Sequence, residues 1–377
     1  MIRRFLVGCR LFTGDAMLDG HGLLIEDGAI LDVLPATAVV AAETLRLPDD
    51  SLLVPGFVDT QVNGAGGVLF NDDPTVDAAL AIARTLRRTG TVALLPTFIT
   101  DERGRTEQAA RAALAAAALP GSGVLGVHLE GPFLSPERPG VHEPRFIRTP
   151  DDDDLTFLTG LAAAPAARLL VTLAPECVAD EALTRLVAGG VILSAGHSAA
   201  SLERVAEAVD LGLRGVTHLF NAMPPIVNRT PGLALAGISD PRLWCGVIAD
   251  GVHVHPALLR LAVATKPPGR VFLVTDAMPP VGTDAATFEL YGRRIFRRDG
   301  RLETADGTLA GADIDMIGAV RNAVFLLGLP LEEALRMASL YPATFLGVED
   351  RYGRLAPGHR AALALLGPDL DVLRCWV

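Results

Sequence analysis

Short apolar runs recur between residues 52 and 277, and most are separated by Ala/Leu/Arg-rich stretches compatible with helices. The runs cover residues 52–62, 92–99, 124–129, 169–174, 191–194, 215–219, 246–249 and 271–275. Near-continuous apolar strands alternating with helices imply a parallel sheet covered on both faces. Eight of them suit a closed (β/α)8 barrel, with the open doubly wound sheet as the competing topology. Polar residues gather where the runs end: Gln61 and Asn63, Glu130, Glu176, His197 with Ser198, His218 with Asn221, Asp250 and Asp276. A barrel brings the C-terminal ends of all its strands to one rim, so these positions can converge.

Residues 1–51 read as short strands with turn signals at Gly14-Asp15, Asp19-Gly20 and Asp27-Gly28. A second strand-like patch, 353–366, follows a helical pattern at 331–337. The pattern predicts a small β-domain formed by both termini, residues 1–51 plus 345–377, beside a barrel spanning 52–344. A hairpin insertion is expected over 288–307, turning at Asp299-Gly300.

The balance of 33 Lys+Arg against 44 Asp+Glu gives a net charge of −11 with no basic block, which argues against a nucleic-acid or anionic-membrane surface. An anionic ligand would therefore need local arginines. The Ala-rich stretch 111–127 is broken by Pro120, Gly121, Ser122 and Gly123, short of the roughly 18 apolar residues of a membrane span. The N-terminus offers no adequate signal-peptide core, so a soluble, cytoplasmic protein is expected. Cys9, Cys177, Cys245 and Cys375 are scattered without paired spacing and read as buried thiols.

Among the eight histidines, His197 in Ser-Ala-Gly-His-Ser and His218 in Val-Thr-His-Leu-Phe-Asn-Ala-Met end successive strands. Glu130 in His-Leu-Glu-Gly-Pro-Phe is the best carboxylate to complete a three-ligand divalent-metal site. The residue pattern alone leaves hydrogen-bonded structural histidines equally open. Asp276 can serve as a proton carrier for amide hydrolysis or as a helix N-cap. Lys266 is the sole lysine, so no lysine at the fourth strand can become a bridging carbamate. Gln61 and Asn63 stand where a His-x-His pair could hold a second ion, and both absences point to one metal. No G-x-S-x-G elbow marks a serine hydrolase, and the glycines at 64–67 lack dinucleotide-binding spacing.

Several motifs in fixed order resemble the amidohydrolase superfamily and, within it, the family of N-acetylglucosamine-6-phosphate deacetylases. They are Pro55-Gly56-Phe57-Val58-Asp59 with Gln61-Val62-Asn63-Gly64, His128 to Phe133, Gly140-Val141-His142, Ala195-Gly196-His197-Ser198, Thr217 to Met223, Asp250-Gly251-Val252-His253, Val274-Thr275-Asp276-Ala277 and Leu309-Ala310-Gly311. The resemblance implies a barrel with a small β-sandwich, Glu130, His197 and His218 as metal ligands, and Asp276 as catalytic acid/base. It implies one divalent ion, foremost Zn²⁺, with Fe²⁺, Co²⁺ or Mn²⁺ as alternatives. It assigns the substrate phosphate to Asn221, the Ala222 N–H and Arg229, sugar contacts to His142 and His253, and the pocket lining to Val141, Leu309, Ala310 and Gly311. A homodimer is also implied. The expected reaction releases acetate from N-acetylglucosamine 6-phosphate, with the galactosamine epimer or an unphosphorylated amide as alternatives. His128 is expected in the core or behind a ligand, and His21, His255 and His359 lie off the motifs. One departure stands out: Ala312-Asp313 follows Gly311 where the family usually has a small hydroxyl residue, placing an extra carboxylate near the pocket.

Overall fold

A computed structural model describes residues 2–164 and 167–377. Eight parallel strands run β1 (Phe57–Val62), β2 (Thr91–Ile99), β3 (Gly126–Glu130), β4 (Arg168–Leu173), β5 (Ile192–Ala195), β6 (Gly215–Val216), β7 (Trp244–Ile248) and β8 (Val271–Val274), each beside its sequence neighbour. The cylinder is completed at its rim, where Val62 and Ala277 form a parallel bridge and the Asp276 N–H donates to the Gln61 carbonyl at 3.0 Å. Seven of the eight apolar runs coincide closely with one strand each. They are largely apolar on both faces because a barrel strand is packed on both sides.

The run at 52–62 departs from that pattern. It splits at Gly56: Phe57–Val62 enters the barrel, whereas Leu52–Pro55 joins a five-stranded sheet with Arg10–Phe12, Met17–Leu18, Leu363–Leu366 and Val372–Trp376. A Cβ at Gly56 would lie 2.4 Å from both Val92 methyl groups, so only glycine lets the chain change sheets against β2. A four-stranded sheet of Arg3–Val7, His21–Glu26, Ala29–Pro35 and Glu43–Arg46 shares a core with the five-stranded one, including Leu6, Leu23, Ile25, Leu53, Leu363 and Leu365. Of the strand-like patch at 353–366, only Leu363–Leu366 is strand, because the Tyr352–Leu355 and Gly358 region turns to reach the Ala29–Pro35 edge.

Helices cover the barrel through apolar faces. Val76–Arg87 buries Ala78, Ala79, Ile82, Ala83 and Leu86, and the Thr75 side chain caps it by accepting from the Ala78 N–H. The acidic run starting at Asp151 opens Asp152–Ala162 through a capping box between Asp151 and Asp154. After β8 the expected hairpin is larger: Thr287–Leu290, Arg293–Arg298, Arg301–Glu303 and Leu309–Ala312 form a four-stranded antiparallel sheet. Cys9 and Cys245 are buried, while Cys177 and Cys375 are partly exposed, and all four are free thiols. Among the described residues no helix is long and apolar enough to cross a membrane.

Candidate active site

Three side chains from separate strands meet at the barrel mouth. Glu130 is the last residue of β3, while His197 and His218 follow β5 and β6 by two residues. Both histidines, and Asp276 after β8, adopt left-handed backbone conformations, with φ of 47°, 32° and 52°. Such conformations cost of order 1–3 kcal/mol each in non-glycine residues and persist where the surroundings over-determine them. Here they turn each strand end so that its side chain faces inward.

His218 Nε2 lies 2.8 Å from Glu130 Oε1, His197 Nε2 lies 3.2 Å from the same oxygen, and the two Nε2 atoms are 3.1 Å apart. Tetrahedral bonds of about 2.0–2.1 Å put ligand atoms about 3.3 Å apart, so a divalent cation fits this triangle. The chemistry of the donors agrees. His197 Nδ1 meets the Arg138 carbonyl at 3.0 Å, which fixes its proton on Nδ1 and leaves Nε2 as a lone-pair donor. Burial opposes ionisation of Glu130, yet its close contacts with His197 and His218 hold its carboxyl well below the usual range. Burial also opposes the charge on His218, but the Glu130 hydrogen bond raises its pKa overall.

Asp276 faces this triangle. Asn63 Nδ2 donates to Asp276 Oδ1 at 2.6 Å, and Gln61 Nε2 donates to the same oxygen at 3.2 Å while reaching both Glu130 oxygens at 3.3 Å. The two amides thus occupy one oxygen of Asp276 and leave Oδ2 for chemistry. Burial, and then repulsion from Glu130, pushes the Asp276 carboxyl up to about 6. That is the direction required of a proton acceptor and donor working near neutrality.

The adjoining cavity, about 180 Å³, is lined by Val141, His142, Asn221, Ala222, His253, Leu309 and Gly311, all anticipated from sequence. His142 Nδ1 meets Thr100 Oγ1 at 2.7 Å and its ring lies 4.3 Å from that of His197. Burial, reinforced by His197, holds the His142 pKa well below its usual value. His253 Nδ1 is 2.6 Å from Asp250 Oδ2. Two anticipated residues lie elsewhere. Ala310 is fully buried in the core of the inserted sheet, since strand alternation turns it away from the face presented by Leu309 and Gly311. Arg229 is exposed and does not line the cavity, because residues 225–230 form an exposed loop beyond Met223.

The extra carboxylate is accounted for: Asp313 Oδ2 accepts from Arg297 Nε at 2.6 Å and does not line this cavity. His128 lies in the core, between Thr97 Oγ1 at 3.1 Å and Thr172 Oγ1 at 2.7 Å, and burial lowers its pKa to about 4. Sequence reading missed Ile99 and Met278 in the wall and Thr100 behind His142, which are apolar or hydroxyl residues without a chemical signature. Asp59 was also missed, although a carboxylate within an apolar run was a visible signal.

A parallel eight-stranded barrel with a carboxylate and two histidines converging at its mouth, beside a second carboxylate, defines a metal-dependent hydrolase. The Amidohydrolase family model matches residues 52–376, and the NagA composite domain model matches residues 5–43. The chain belongs to the amidohydrolase family. It is 37% identical over 374 residues to N-acetylgalactosamine-6-phosphate deacetylase of Shewanella sp. (strain ANA-3), covering 98% of this chain and 93% of that protein. It is 33% identical to N-acetylglucosamine-6-phosphate deacetylase of Haemophilus influenzae, covering 98% and 96%. The crystal structure of N-acetylglucosamine-6-phosphate deacetylase from Pasteurella multocida superposes with a TM-score of 0.95 at 34% identity, covering 100% of this chain and 98% of that one.

Proposed function

We propose that this chain removes acetate from N-acetyl-D-glucosamine 6-phosphate to give D-glucosamine 6-phosphate, using one divalent ion held by Glu130, His197 and His218. The observation that carries the reading is the convergence of those three donor atoms opposite a carboxylate with one free oxygen. When bound, the ion, foremost Zn²⁺, polarises the acetamide carbonyl and acidifies the attacking water. Asp276 accepts the water proton as the amide carbon becomes tetrahedral, while Asn63 and Gln61 keep its carboxylate oriented. The same proton then passes from Asp276 to the departing amine nitrogen as the C–N bond breaks. His142 and His253 contact the sugar, and Val141, Leu309 and Gly311 enclose it. Asn221 and the Ala222 N–H hold the phosphate, and Arg229, which stands outside the cavity on the exposed 225–230 loop, is assigned as the cation that reaches the phosphate from there.

The same site suits the galactosamine epimer, and the 37% identity to a protein of that name favours this as a second reading. We assign residues 1–55 plus 345–377 as the β-sandwich unit beside the barrel of residues 56–344, the boundary moving from 52 to 56 because Leu52–Pro55 pairs with the terminal strands, in a cytoplasmic homodimer. Acetate release from the two sugar phosphates by metal-loaded protein tests the assignment. A higher kcat/KM for the galacto substrate replaces the first reading with the second, and no acetate from either overturns both. Arg229→Ala should depress turnover of the phosphorylated sugar and leave N-acetylglucosamine itself unchanged.

A further inference from the structure

Asp59 on β1 is fully buried, and no basic side chain pairs with it among the described residues. It neither lines the cavity nor touches the donor triangle, so the reaction described above makes no use of it. An enclosed carboxylate without a cation is costly and persists only where its hydrogen bonds are needed. Those bonds converge on one place. Asp59 Oδ1 accepts from the N–H groups of Gln61 at 3.2 Å and Thr275 at 3.3 Å, and Oδ2 accepts from the Thr275 hydroxyl at 2.5 Å. The Thr275 oxygen accepts in turn from the Ala277 N–H at 3.2 Å.

Both neighbours of Asp276 are thereby tied to one carboxylate across the β1–β8 seam. Asp276 itself donates its N–H to the Gln61 carbonyl at 3.0 Å, and Gln61 is also anchored by Asp59. Because β8 ends at Val274, residues 275–277 lie beyond its ladder; the isolated Val62–Ala277 and Ala277–Ala312 bridges hold Ala277, and the Asp276 carbonyl accepts from the Ala312 N–H at 2.9 Å. None of these contacts holds Thr275, the residue that leads into the left-handed turn at Asp276, and the Asp59 network supplies that restraint.

We propose that Asp59 is a positioning residue that, through the Thr275 hydroxyl, holds Asp276 in the left-handed conformation that aims its carboxylate at the reaction centre. The inference rests on the reading of Asp276 as proton carrier. Thr275→Val deletes the hydroxyl at nearly constant shape, and Thr275→Ser restores it. Misplacing a catalytic group by about 1 Å costs about 100-fold. Thr275→Val and Asp59→Ala should therefore each lose about 100-fold in kcat per folded, metal-loaded chain, with KM within about twofold. Thr275→Ser should recover most of that loss. A crystal structure of Thr275→Val should show Asp276 released from positive φ and from Asn63 Nδ2. Unchanged kcat in Thr275→Val, or a loss explained by reduced metal content or folded fraction, overturns the proposal. If the wild-type protein hydrolyses no amide, the functional reading fails, and the crystal structure still decides: an unmoved Asp276 in Thr275→Val rejects the positioning role.

Discussion

Arg297 holds Asp313 by a 2.6 Å hydrogen bond between the inserted sheet and the chain that follows Gly311. The same guanidinium donates to the Thr283 carbonyl at 2.7 Å, so it ties the insertion to the segment after β8. A carboxylate beside the pocket in sequence is thus a structural anchor in space. Asp313→Asn should leave KM for the phosphorylated sugar within about threefold. Arg297→Ala, which strands a nearly buried carboxylate, should destabilise the protein by about 2 kcal/mol, between the values for exposed and fully buried pairs. Denaturant titration and steady-state kinetics on the two variants separate these effects.

Removing divalent ions should abolish acetate release, and add-back should restore it at one ion per chain. His218→Asn should weaken metal retention at least tenfold, measured by elemental analysis after dialysis against a chelator. Full turnover in rigorously metal-free protein would sink the mechanism.

Asp276→Asn preserves the shape and both amide neighbours but cannot accept a proton. It should lower kcat by about 10²–10⁴-fold, the usual contribution of general acid–base catalysis, while metal content stays at the wild-type level. Comparable loss of metal would reassign Asp276 as a ligand.

Burial pushes the Asp59 carboxyl up to about 7, well above an ordinary aspartate. Between about pH 4 and pH 7 the folded chain therefore keeps a proton that the unfolded chain has released, and stability attributable to this group falls as pH rises through that window. The difference can reach about 4 kcal/mol. Asp59→Asn removes the titration, so the stability gap between wild type and variant should widen in the variant's favour from pH 5 to pH 8. A pH-independent gap in paired denaturation curves would contradict this.

Gly311 has a φ of 68°, and an added Cβ would lie 2.4 Å from the Met278 Cγ and 3.0 Å from the Asp276 carbonyl. Gly311→Ala should push Met278 into the sugar pocket. KM should rise about tenfold, with a smaller change in kcat, since about 1.4 kcal/mol of lost substrate contact has that effect.

The strand order and the donor residues were legible because a barrel strand is apolar along most of its length and ends in the polar residue it delivers to the rim. His197, His218, Glu130 and Asp276 each stand at such a transition. Leu52–Pro55 was not separable from β1, since the apolar character runs on from Leu52 to Val58 and the division depends on how closely Gly56 approaches Val92. The inserted sheet was only half legible. Its Asp299-Gly300 turn has a clear signature, but Tyr291-Gly292 and the return strand Leu309–Ala312 do not. Arg229 shows a different limit: a motif places a residue along the chain, and a loop decides how far it stands from the cavity.

The donor triangle joins residues 130, 197 and 218, delivered by the third, fifth and sixth strands. No fragment that ends before His218 can present all three, and none that ends before residue 276 also carries the proposed proton acceptor. Cation capture is therefore a late event in the life of a newly made chain, coupled to assembly of the rim. A nascent or truncated polypeptide would compete poorly for scarce ions, and loading would report that the cylinder has been built.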